Sequence, residues 1–152
     1  LSDLGNLDYT FTGELPHPAV TARYLAAPVD MLVNTSESEG VPVSIMEAMS
    51  AGVPVVAPDV GGISSLVSER CGVLLGPHPA VEEIADAMDR VAFADGYERL
   101  RANARQAIET GFDAARNYRD FVAGVVAIGA SDDNPVRHRR QTASRIQQAA
   151  GR

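Results

Sequence analysis

Apolar residues in this chain gather into short, β-branched runs separated by stretches of helical period. Runs at Asp8–Gly13, Met31–Thr35, Pro54–Ala57 and Gly72–Leu75, bounded by Gly or Pro, read as strands. Pro18–Ala27 and Pro42–Ala51 read as helices with proline in the first turn, and Gly52 stands where a helix would end. Val81–Ala92 puts Val81, Ile84, Ala85, Met88, Val91 and Ala92 on one face, a 3.6-residue period. Tyr97–Glu109 and Asp113–Ile128 complete the helices, the latter with Tyr118, Val122, Val125 and Val126 along one side. Strand and helix alternate as far as Leu75, which predicts an α/β, Rossmann-like fold: a parallel sheet with flanking helices and a helical C-terminal segment.

Composition narrows the class. A length of 152 residues suits one ordinary core, and 45% hydrophobic with 22% charged residues is globular. Cys71 is the single cysteine, so no internal disulfide can form, and it reads as a small buried apolar residue of a reducing compartment. The apolar run Phe121–Gly129 is too short to span a bilayer, and no basic-then-apolar leader stands at the start.

Charge is uneven. The net charge is −7, and the five Arg and two Asp from Ser131 onward make that segment +3, leaving −10 on residues 1–130. A body so acidic repels a phosphate backbone, which argues against nucleic-acid binding. Residues 1–130 are expected to form the folded domain, and residues 131–152 a basic, flexible tail able at most to make weak contact with an anionic membrane surface. The chain has no Lys, the residue that phosphate sites often use.

The segment from Asp30 to Asp59 carries the chemistry: buried strand, polar loop, short helix, second strand. Glu39 lies in the loop and Glu47 on the helix; alone, such a pair means little in a Glu-rich chain. Its setting gives it weight. The loop leaves the carboxyl end of a strand, where ligands bind doubly wound sheets, and the helix from Pro42 turns its positive end toward the same place. Ser36 and Gly40 make that loop tight and polar, and Ile45, Ala48 and Met49 suit the core while Glu47 points elsewhere. The plainer reading leaves Glu39 as a loop carboxylate and Glu47 as a surface charge. Asp59-Val60-Gly61-Gly62 is either a simple strand-to-helix turn or a place where small residues let a ligand or a helix approach the backbone closely. His17, His78 and His138 are scattered beside turns or in the tail and lack metal spacing, so surface roles are expected for them.

The sequence SESEGVPVSIMEAMSAGVPVVAPDVGG, with YTFTGEL upstream and RNYRDFV more weakly downstream, resembles the C-terminal domain of retaining glycosyltransferases of family 4, which have the GT-B fold. The resemblance implies hexosyl transfer with retention from a nucleoside-diphosphate sugar to a glycan or lipid-linked acceptor. It implies no cofactor, no obligatory metal, and cytoplasmic action, peripheral at the inner membrane surface. Glu39 would be the catalytic-site carboxylate on the donor sugar and Glu47 would hold the nucleotide ribose. Ser36, Gly40, Val41, Pro42 and Val43 would line the donor, with possible backbone contacts at Gly61 and Gly62. A carboxylate suits these roles because it only accepts, and a vicinal diol offers two donors.

The family often has an acidic residue where this chain has Ser65. The resemblance also implies a truncated half: the acceptor domain, possibly a separate polypeptide, and the first two strands of the donor domain, with their cationic diphosphate grip, lie outside the chain. In the strand order 3-2-1-4-5-6 those two strands would lie between Asp8–Gly13 and Met31–Thr35, so these flanking strands would pair with each other or leave one apolar edge open. The alternative reading is a non-catalytic remnant or weak nucleotide-binding module.

Overall fold

A computed structural model describes residues 7–130. The α/β class holds: three parallel strands run in the order β1 (Leu32–Val33), β2 (Val55–Pro58), β3 (Gly72–Leu75), with helices between and after them. Leu32 and Val33 pair with Val55 and Val56, and Val55–Pro58 pair in register with Gly72–Leu75. The β1 ladder is longer than its strand, because Leu32 N–H donates to the Pro54 carbonyl and Asn34 N–H to that of Val56. The expected Met31–Thr35 strand is therefore present, trimmed at both ends.

Every residue of β2 is buried, so both faces of the sheet are covered at its centre. That explains its continuous apolar run, the pattern of a central parallel strand. On one face Val56 and Val73 pack against Ala87 and Val91 of α3 (Val81–Ala92), with Met31, Val33, Leu75 and Tyr97 closing the edge. On α2 (Val43–Ser50), Ile45, Ala48 and Met49 are fully buried, and this helix packs on β2 and on α4 (Tyr97–Gly111). Burying a side chain such as Ile45 stabilises by about 1.5–3 kcal/mol.

The buried stripe of α3 is narrower than its period predicts. Ala87 and Val91 are buried and Ile84 half-buried, whereas Val81, Ala85, Met88 and Ala92 are exposed. The helix starts with the Ala80 N–H bonded to Glu83 Oε2 at 2.8 Å, which satisfies one of the free amides of its first turn. α2 ends at Ala51, and Gly52 follows in the left-handed region (φ +73°), the conformation expected for a glycine one residue past a helix. Arg105 of α4 donates to the Ser50 carbonyl at 3.3 Å, tying off that end. Cys71 is buried, its thiol among Ser68 and Leu66 backbone atoms, as its composition reading expects.

One expected strand does not form. Residues 7–13 form no strand and are exposed, with the Tyr9 and Phe11 rings in edge contact 5.5 Å apart. β-branched and aromatic residues there carry the propensity, but a strand without a ladder partner is marginal in water. α1 (His17–Ala26) begins after Pro16 and has no buried residue.

The chain divides into two compact units, residues 1–111 and residues 112–152. The described part of the second is α5 (Ala114–Ala130), opened by Asp113, whose Oδ1 accepts the Arg116 N–H at 2.6 Å. The expected helix is present, and no residue of it is buried: Tyr118, Val122, Val125 and Val126, the apolar set of its sequence, are all exposed. The expected tail at residues 131–152 lies outside the described residues.

Candidate functional site

The site is built where β1 and β2 end. β1 delivers Asn34, whose side-chain oxygen accepts the Ser36 N–H at 2.9 Å and turns the chain out of the sheet. The other end of the same amide donates to Glu39 Oε1 at 3.4 Å. One Asn thus shapes the loop and steadies the carboxylate that the sequence singles out. The loop closes into α2 at Val43, with Pro42 buried in an extended conformation as its N-cap. No side chain caps this end, so its first amides are not taken by a capping side chain.

The turn after β2 comes up beneath that loop. Gly62 N–H donates to the Gly40 carbonyl at 2.7 Å, and Gly61 adopts φ +58°. A Cβ on Gly61 would overlap the Glu39 carbonyl oxygen, and one on Gly62 would meet Gly40 O and the Val41 side chain at 2.8 Å. What approaches these glycines is the protein's own loop, neither a ligand nor a helix. Ser65 closes a short 3-10 turn, Ile63–Ser65, by donating to the Gly62 carbonyl at 2.6 Å. The Ser at this position therefore braces the turn.

Glu47 looks elsewhere. Its Oε1 stands 2.7 Å from His17 Nε2, at the start of α1. The Glu47 side chain is 21% exposed and that of His17 73%. The surface role expected for His17 fits its exposure but missed its partner, which no local pattern connects to it. Two turns further along α1, the Tyr24 phenol is pushed up from its usual range by burial first and by the Glu47 charge second. Tyr24 also lines a cavity of about 320 Å³ with Arg23, Thr12, Leu15 and Val20. Glu39 and Glu47 thus hang from one loop and helix but engage different neighbours, Asn34 and His17 respectively.

A second cavity, about 230 Å³, opens at the carboxyl edge of the sheet between Thr35, Ser36 and Glu37 on one side and Pro58, His78 and Ile84 on the other. Of the candidate residues, Ser36 lines it. Val41 and Val43 are exposed, as is Gly40. Among the described residues no group of three or more His, Cys, Asp or Glu stands together to hold a metal ion. No described helix is long and apolar enough to cross a membrane.

Residues 2–92 match the family model described as glycosyl transferases group 1. Over 110 residues, 72% of the chain, the sequence is 34% identical to a D-inositol 3-phosphate glycosyltransferase from Kribbella flavida, of which this covers 26%. Over 66 residues, 43% of the chain and 17% of the relative, it is 47% identical to a GDP-mannose-dependent alpha-mannosyltransferase of Mycolicibacterium smegmatis. Among solved structures, the sucrose-phosphate synthase from Thermosynechococcus elongatus, a GT-B glycosyltransferase, superposes on 76% of the chain and 30% of its own, with a TM-score of 0.61 and 27% identity. The chain spans less than a third of the length of the curated relatives it matches.

Proposed function

This chain belongs to the glycosyl transferases group 1 family, and from that premise we propose that it is the donor-binding part of a retaining, family 4 transferase. The donor is a nucleoside-diphosphate sugar, a class in which the GDP-mannose of the mycobacterial relative's name falls. Glu39 receives the hydroxyls of the transferred hexose, and Glu47 the ribose. The backbone from Gly40 to Val43 meets the sugar and diphosphate, with Ser36 beside them. The observation that carries this reading is the seating of the Glu39-Gly40 loop on the Gly61-Gly62 turn, which fixes a carboxylate and a helix start together at the carboxyl edge of the sheet.

Transfer needs the leaving diphosphate stabilised, and preorganised dipoles do this without reorganising during reaction. Here the amides at the start of α2 are the contribution that these residues make. No metal or other cofactor is required by the scheme. The acceptor is a glycan or a lipid-linked acceptor, and the reaction runs on the cytoplasmic side, at the membrane surface. A second reading, a non-catalytic or weakly nucleotide-binding module, is favoured by one observation: the matched segment is under a third of its relatives' length.

Donor affinity, read beside turnover, separates the two roles. The chain alone, incubated with labelled nucleotide sugars and candidate glycan or lipid acceptors, is expected to bind donor yet form no product. Product above the level of a Glu39→Ala control would show that this segment is a complete transferase. Absence of donor binding would favour the second reading and would remove the donor-site reading.

A further inference from the structure

We propose that His17 is a positioning residue for Glu47, fixing its carboxylate where the ribose diol of a nucleotide meets it. The inference rests on the donor-site reading above. His17 is the first residue of α1, and its Nε2 lies 2.7 Å from Glu47 Oε1 on α2. Their exposures differ sharply, 73% against 21%. A carboxylate that is mostly covered needs a donor to offset the water it has lost. An imidazole with its proton on Nε2 supplies that donor in the neutral ring, and the imidazolium supplies it with a charge as well.

The second consequence is geometric. Glu has freely turning side-chain bonds, and a bond to one oxygen limits the rotamers open to the carboxylate. With Oε1 committed to His17, Oε2 is the oxygen of the pair left to accept from a ligand hydroxyl. α1 meets Glu47 at more than one point. Tyr24, seven residues after His17 and so on nearly the same helix face, is close enough for the Glu47 charge to raise its phenol's pKa. The groups brought to Glu47 from α1 are thus an imidazole and a neutral phenol. In a chain without Lys, His17 is the cationic or donor group that stands next to the candidate ribose ligand.

The alternative is that the pair merely ties α1 to α2, and the two ideas separate by what they do to ribose discrimination. The full chain is titrated with UDP and GDP and with their 2′,3′-dideoxy analogues, followed by ligand-observed NMR. The wild type, His17→Ala, His17→Gln and Glu47→Ala proteins are compared. In the wild type the better-bound ribonucleotide is expected to exceed its dideoxy analogue by about tenfold or more, the effect of a charge-assisted hydrogen bond. That ratio is expected to fall to roughly one in Glu47→Ala and to below about threefold in His17→Ala. His17→Gln, whose amide can donate from the same place, is expected to restore most of it.

A wild-type ratio in His17→Ala would overturn the positioning role and leave the donor-site reading standing. So would equal weakening of both nucleotides accompanied by a lower melting temperature, which is the signature of a structural tie. No discrimination in the wild type, or no nucleotide binding, would overturn the donor-site reading and this inference with it.

Discussion

Gly61 lies directly against the Glu39 carbonyl oxygen, so close that a Cβ at position 61 would occupy the same space. The contact joins the turn after β2 to the loop after β1, and it sets the height of the Glu39 loop above the sheet. Gly61→Ala adds a left-handed alanine and a clash with rigid backbone. Its expected cost is about 2–4 kcal/mol in chemical denaturation, with loss of donor binding. Gly13, also left-handed at φ +61° but with open space around it, is the control. Gly13→Ala is expected to cost only about 1 kcal/mol. Equal effects at the two positions would show that Gly61 matters only for its φ.

Asn34 uses both ends of its amide, accepting from Ser36 N–H and donating to Glu39. Asn34→Ala removes both bonds and is expected to weaken nucleotide-sugar binding by about 0.5–1.5 kcal/mol. Asn34→Asp keeps the acceptor for Ser36 but turns a like charge on Glu39, so binding is expected to fall further than in the alanine variant. Calorimetric titration of the two variants checks the order; Asp binding as well as wild type would remove Asn34 from the site.

Tyr24 gives a prediction in pH. Its phenol pKa is raised in the folded protein, first by burial and then by the Glu47 charge. The folded state therefore holds the phenolic proton more tightly than the unfolded chain does. This contribution to stability is complete below about pH 10, the ordinary tyrosine range, and is lost as pH rises through the folded pKa. Tyr24→Phe is expected to flatten that alkaline fall in melting temperature. A Phe variant whose alkaline profile overlays the wild type would show that Tyr24 does not contribute.

Much of the fold is legible in the sequence because its signals are local. The apolar run read at Pro54–Ala57 appears one residue later, as Val55–Pro58, and the Pro-to-Gly frame around α2 and the inward set Ile45, Ala48 and Met49 appear as read. What was not legible depends on partners. Residues 7–13 have strand composition but no ladder. At the site, the loop and helix carrying Glu39 and Glu47 followed from Gly, Pro and polar spacing. Asn34 could have been suspected, since Asn two residues before a turn amide is a common turn former. His17 could not, because only the folded chain brings the start of α1 to Glu47.

The phase of α3 is a case where periodicity alone overreached. Val91 is buried against the sheet while Met88 is 38% exposed. Val91→Ala removes two buried methyl groups and is expected to cost about 1–2.5 kcal/mol, and Met88→Ala less than about 1 kcal/mol. Urea denaturation of the pair distinguishes this phase from the wider stripe that spacing predicts, in which Met88→Ala would be the costlier change.

The central claim is that Glu39 and Glu47 together hold a nucleoside-diphosphate sugar, and the affinity of the full chain for such donors tests it most directly. A panel of uridine-, guanosine- and adenosine-diphosphate sugars identifies the donor that binds best. That donor is then measured against Glu39→Ala, Glu47→Ala and, as a control for charge in the same loop, Glu37→Ala. Loss of either site carboxylate is expected to cost about 1.5–3 kcal/mol, roughly ten- to 150-fold in affinity, with Glu37→Ala close to wild type. Wild-type affinity in both the Glu39 and Glu47 variants, or the same loss in all three, would contradict the account.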